Sequence, residues 1–413
     1  MMFYYGLLLT FFLEYVRPGA DIAIVQLSKI NTLVPITVFL ASLGAATKNT
    51  HADVWSDFNT KWLAFFMFML TISLVTAGVT EYAFIRFKQA LGYIFIFYVI
   101  ARFVDDYKKL TGVLLTLCVI HVVLVLLNSD LLLLESSRIY IQKVSFLGDG
   151  NDFSLSLCIV FPMCFYFILV SDKKWKKLLF ISMLLIISIA IIATQSRGAS
   201  LALASVILYL WWNGKHKVFG IIATLIIGMG ILALAPPEYF SRMETLKDYE
   251  HEGSAKGRID AWKAATEMAL KSPIIGVGAG QFPALYGLTA HSMYFLALSE
   301  LGFPGLLFIV LILIQNLKRT TKNINKIGAD PPQNMLKYKK LFICLNASLI
   351  GFMVAGAFLS VLYYPHVFVL SGIMLAANRI FIRDSDNSEN IPDDSEKTKK
   401  VSVRKFVMTQ PNT

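Results

Sequence analysis

Three residues in this sequence have the chemistry to hold an anion and move a proton. Arg197 lies in ATQSRGAS, a turn so short between two apolar runs that its guanidinium must reach the interface or face a polar cavity. Its planar fork of donors suits phosphate oxygens taken in pairs; the plainer role is an interfacial anchor. Arg258 heads the helical stretch GRIDAWKAATEMALKS, where its charge adds to the positive end of the helix dipole; the plainer role there is a solvated loop residue. Two arginines on one membrane face suggest an anionic substrate such as a lipid-linked diphosphate. His291 opens the apolar run that follows. Beside two arginines and partly desolvated it would be a neutral imidazole able to take a proton from a hydroxyl; otherwise it is an interfacial histidine.

Other polar residues in the stretch read as support. Glu300, deeper in the His291 run, falls on the other side of an ideal helix and reads as a carboxylate that ties a neighbouring helix by hydrogen bonding. Trp262 shares an apolar stripe with Ile259, Ala265 and Ala269 on a helix that can lie on a bilayer or cap the spans. Gly276, Gly278 and Gly280 make a turned loop, and with no strand before them they do not form a dinucleotide fingerprint. Asp149, Asn151 and Asp152 read as a solvated loop rather than a cation site. Cys118, Cys158, Cys164 and Cys344 sit in apolar runs without paired spacing or a histidine beside them, so no metal site is expected.

The elements that must position these residues are membrane helices. With 56% hydrophobic and 16% charged residues and a mean hydropathy of +0.63, the chain is too apolar for a soluble domain. Apolar runs predict about twelve spans, at 1–16, 31–46, 62–80, 90–104, 110–128, 152–170, 178–194, 199–213, 217–235, 292–316, 340–360 and 364–382. That division puts nine spans in 1–235, an outer loop with an amphipathic helix at 236–291, three spans in 292–382 and a disordered tail at 383–413. The net charge of +11 is a topology signal and not a nucleic-acid footprint, because much of the Lys and Arg lies in alternate short loops and the tail. Placing the richer loops inside puts both termini in the cytoplasm and Arg197, Arg258 and His291 together on the outer face.

The succession NDFS, TQSRGA, GRIDAWKAA, SPIIGVGAGQF and AHSMYFLALSELGFPG, spread over about residues 145–380, resembles the O-antigen ligase and polymerase superfamily of bacterial membrane glycosyltransferases. The resemblance implies an all-α polytopic fold of GT-C type in the inner membrane with a periplasmic active site. It implies transfer of a glycan from undecaprenyl diphosphate to an acceptor hydroxyl with inversion, and neither metal nor nucleotide cofactor. Arg197 and Arg258 match the family's diphosphate-binding arginines, and His291 matches the histidine that activates or orients the acceptor. That acceptor is the lipid A core in a ligase, another lipid-linked chain in a polymerase, and a Ser or Thr hydroxyl in a protein glycosyltransferase. A rival from another class is a transporter of lipid-linked glycans, which would line a path with ionisable residues deep in several spans; here most charges stay near span ends.

Overall fold

A computed structural model describes residues 1–17, 29–129, 146–214 and 253–389. The span expected at 217–235, the start of the outer loop at 236–252 and the tail beyond 389 lie outside the described residues. All regular structure within them is helical. In chain order the helices are α1 (Met2–Val16), α2 (Ile30–Leu43), α3 (His51–Ser56), α4 (Phe58–Thr76), α5 (Thr80–Phe103), α6 (Tyr107–Leu127) and α7 (Gly150–Val170). They continue as α8 (Lys174–Ala193), α9 (Arg197–Trp212), α10 (Gly253–Lys271), α11 (Phe282–Tyr286), α12 (Met293–Ile327), α13 (Gln333–Gly356) and α14 (Pro365–Glu389). Eight of them, α4 to α8 and α12 to α14, are long and apolar enough to cross a bilayer, and α1, α2 and α9 are shorter apolar helices. The chain is a polytopic all-α membrane protein.

Polar residues start these helices and small ones let them approach. Asp57, Asp106, Asp149 and Ser196 each accept a backbone N–H from the first turn they cap, so α4, α6, α7 and α9 begin on side chains written into the sequence. At the centre of the bundle α7 packs on α13, α8, α9 and α6, while α14 lies against α5. A Cβ at Gly351 of α13 would stand 2.9 Å from Val206 and 3.4 Å from the Cys158 carbonyl, so the backbone comes close there because glycine permits it.

Several boundaries differ from the sequence reading. The expected loop at 81–89 is helical, and α5 starts at Thr80 instead of 90. Glu81, Arg86, Lys88 and Gln89 depress hydropathy over that stretch, but Arg86 and Gln89 face a polar cavity, where a charged residue does not end a helix. Helix α10 begins at Gly253, which places Arg258 beyond its first turn, and α14 runs past the expected end at 382 to Glu389. On α10 the face turned inward holds Ala261, Ala265 and Ala269, all fully buried, whereas Ile259 is exposed. Contacts with α12 show the helix capping the bundle.

Helix α12 is broken at Gly302, whose φ of 69° and ψ of −167° lie outside any helix. Pro304 has no N–H to give Glu300, and Phe303 N turns to the Pro273 carbonyl at 2.9 Å. The carbonyls thereby released are taken from outside: Ser299 O accepts from Val277 N at 2.9 Å and Glu300 O from Gly278 N at 3.0 Å. The glycine loop is thus a plug for the broken helix. Gly276 shows why the residue type matters: its φ is +65°, and a Cβ would stand 2.4 Å from the Glu300 carbonyl carbon.

Gly276→Ala should therefore destabilise the protein by about 2–4 kcal/mol, from left-handed strain plus overlap with fixed backbone. Gly287→Ala is the control, because that glycine has φ +86° but nothing within 4 Å of its Cβ position, and it should cost only about 1 kcal/mol. Thermal unfolding of the two variants in detergent checks the difference; equal losses would mean the close approach is not what matters.

Candidate active site

The break and its plug shape one end of the bundle, where α4 and α13 finish and α5, α7, α12 and α14 begin. A cavity of about 500 Å³ lies there. Arg258 of α10 and His291 at the head of α12 line it together with Arg86, Gln89 and Tyr93 of α5. Asp149, Asn151 and Asp152 at the start of α7 also face it, as do Ser360, Tyr363 and Tyr364 between α13 and α14. These groups are far apart in sequence and meet only because the helix ends converge.

Glu300 is the bracket of this wall. It is 1% exposed, and its carboxylate accepts three hydrogen bonds: Gly280 N at 2.7 Å and the Tyr363 hydroxyl at 2.6 Å on Oε2, and Phe282 N at 3.0 Å on Oε1. A buried carboxylate is tolerated when its lone pairs are filled in this way. Burial, and after it the Glu300 charge, push the Tyr363 phenol well above its ordinary range, so it remains a proton donor to Glu300 at neutral pH. Gln281 extends the attachment: its amide donates to Val79 O at 2.8 Å and accepts from Val79 N at 3.0 Å, just ahead of α5. The glycine loop therefore sets the position of α5 and of the polar side chains it carries.

His291 is placed by its neighbours. Its backbone is left-handed, with φ +49°, an uncommon conformation for a residue with a side chain. The preceding carbonyl, Ala290 O, accepts the Trp262 indole N–H at 3.0 Å, and the indole stacks on Phe295 with centroids 5.1 Å apart and planes 7° from parallel. Trp262 does not line the cavity. It ties α10 to the chain on both sides of His291, so the helix that carries Arg258 also positions His291.

Arg197 is not among the residues that line the cavity. It is the first residue of α9, in a turn at the same end of the bundle, and a Cβ at Gly198 beside it would stand 3.3 Å from Phe358 Cβ, just ahead of the cavity residues Leu359 and Ser360. The turn is tight. Gln195 has φ +51° and is 3% exposed, and among the described residues neither polar atom of its side-chain amide has a hydrogen-bond partner. Each such group costs about 1–3 kcal/mol to bury unpaired. Ser360 Oγ, in the cavity wall, is likewise buried without a partner among the described residues.

Residues 182–310 match the O-antigen ligase family. This match supports a relation to the O-antigen ligase/polymerase superfamily. The matched O-antigen ligase region contains Arg197, Arg258, Trp262, the glycine loop, His291, Glu300 and the break at Gly302. The match is consistent with a membrane enzyme of ligase or polymerase type. No curated protein matches the chain.

Arg86, Ser360, Tyr363 and Tyr364 lie outside the matched region and outside the sequence reading of the site, yet all four line the cavity. One signal for Arg86 is available in the sequence: Tyr82, Arg86, Gln89 and Tyr93 recur at helical spacing, which makes a polar stripe on an otherwise apolar stretch. Nothing comparable marks Tyr363.

Replacing Glu300 by Gln puts an amide N–H₂ against one or more of three donors and should cost roughly 2–4 kcal/mol, while Tyr363→Phe removes one donor and should cost about 1 kcal/mol. Thermal unfolding of purified protein measures both. A Glu300→Gln protein as stable as wild type would mean the carboxylate does not hold the loop.

Proposed function

We propose that the protein transfers a glycan from undecaprenyl diphosphate to an acceptor hydroxyl, that of the lipid A core, on the periplasmic face of the bacterial inner membrane, with both termini in the cytoplasm. The observation that carries this reading is that Arg258 and His291, the residues matching the family's anion clamp and acceptor histidine, line one cavity. Arg197 joins them as the second diphosphate arginine, supported by the packing of its turn beside Phe358 at the same end of the bundle.

The reaction follows from the charges. The acceptor oxygen attacks the anomeric carbon as the bond from that carbon to the diphosphate oxygen breaks, and the configuration inverts. His291 takes the hydroxyl proton as the new bond forms. The leaving diphosphate gains negative charge at that moment, and arginines held in a partly closed site stabilise it with little reorganisation. Trp262 and Glu300 act through position: one holds the backbone at His291, the other the loop and Tyr363.

Alanine at Arg258 or His291 should lower attached surface glycan roughly a hundredfold or more, while lipid-linked chains accumulate. The measurement is the size-separated glycan profile of a deletion strain carrying each variant, with membrane insertion verified. Loss of the long ladder with single repeats still on the lipid A core would make the enzyme a polymerase, and glycan appearing on protein a protein glycosyltransferase. Normal glycan in both variants would remove the transferase reading and favour a transporter.

A further inference from the structure

Arg86 sits where two cavities meet. The large one described above and a second of about 300 Å³, lined by Tyr82, Ile85, Gly280 and Ala284, share Arg86 and Pro283 as wall residues. Around the second cavity the surface is apolar and exposed: Tyr82 is 42%, Phe84 52%, Ile85 37% and Leu285 60% accessible. On a membrane protein an exposed apolar surface of this kind, beside a polar cavity that shares its wall, is suited to contact with lipid.

The guanidinium is held in place by its neighbours, with the Glu300 charge acting on it through space. One nitrogen donates to Gln89 Oε1 at 3.0 Å, and the group lies over the Tyr363 ring at 5.3 Å from its centroid. Tyr363 is in turn fixed by Glu300, and Gly280, where a Cβ would stand 3.3 Å from Arg86 Cγ, leaves room for the stem. Arg86 forms no ion pair among the described residues, and its other donors take no protein partner there. A cation hydrogen-bonded to a neutral amide and lying on a ring, in no direct ion pair among the described residues and at the boundary between a polar cavity and an apolar gap, is suited to a ligand with an anionic head and an apolar chain.

We propose that Arg86 binds the diphosphate of the lipid-linked donor from the bilayer side, with the prenyl chain leaving over Tyr82, Ile85 and Ala284. This rests on the donor being a prenyl-linked diphosphate, as in the proposed function. Arg86 thereby joins Arg258 as a substrate-binding arginine and gives the site a lipid-facing entrance.

The test is binding to the full chain in phosphatidylcholine nanodiscs, with farnesyl diphosphate and inorganic diphosphate as probes. Arg86→Gln should weaken both by about tenfold to a hundredfold, the loss expected of charge-assisted hydrogen bonds, and Arg86→Lys by less. Ala284→Trp, which fills the opening, should weaken farnesyl diphosphate at least about tenfold and leave inorganic diphosphate within about twofold, because only the prenyl chain uses the gap. Thermal unfolding confirms that each variant is folded, with Arg86→Lys carrying the test if Arg86→Gln is not. Unchanged affinity in the Arg86 variants, or equal losses for both probes in Ala284→Trp, would overturn the proposal. So would equal displacement of farnesyl diphosphate by phosphatidylglycerol, which would make this a general site for anionic lipid. No transfer occurs in the assay, so the two readings fail separately. Binding that depends on Arg86 beside normal glycan in the His291→Ala strain would remove only the reaction, and glycan lost in that strain beside binding indifferent to Arg86 would remove only the entrance.

Discussion

A helix cannot be interrupted inside a membrane protein unless other groups take up the backbone it releases. In α12 the interruption at Gly302 frees the Ser299 and Glu300 carbonyls, and the amides of Val277 and Gly278 accept the task of pairing them. Much of the cavity's architecture depends on that exchange. It draws the loop at 273–282 into the end of the bundle, where Glu300 catches its Gly280 and Phe282 amides and Gln281 grips the start of α5. The loop is irregular, but its polar groups face protein and not lipid.

The same exchange explains why the glycines in SPIIGVGAGQF are needed without any phosphate to cradle. Gly276 and Gly278 both have positive φ, and a Cβ on either would meet Glu300 or Ala77 at under 3.0 Å. They are spent on close approach between backbones. In the proposed reaction the charge for anion binding comes instead from side chains at the rim, on helices whose positions the loop helps to fix. Rigid support below and arginine or histidine above is an economical way to keep a reactive end wet and a membrane body dry.

The family match and the cavity geometry bear on different questions. The matched region, residues 182–310, speaks to the kind of chemistry, and it spans Arg197, Arg258 and His291, the residues of the proposed reaction. The walls that complete the cavity come from α5 and from the junction of α13 with α14, outside that region. Differences of donor or acceptor between members of such a superfamily could reside in walls of this kind, since they shape the space without changing the bond that is made.

Much of the fold was legible before any coordinates. Hydropathy located most of the apolar helices, and Asp57, Asp106, Asp149 and Ser196 stood where helices start. These are local properties: a run of side chains decides whether a segment prefers lipid, and a residue or two decides where it is capped. The break in α12, the extension of α5 back to Thr80 and the meeting of Arg86 with Tyr363 were not legible, and for one reason. Whether a carbonyl may go unpaired in its own helix, or an arginine may sit in an apolar stretch, depends on what stands opposite, and in each case that partner lies tens or hundreds of residues away. The sequence by itself determined the solvent each segment prefers and the chemistry available at its end; only the tertiary structure decided which of those ends share a cavity, because desolvation and hydrogen bonding are settled by neighbours in space.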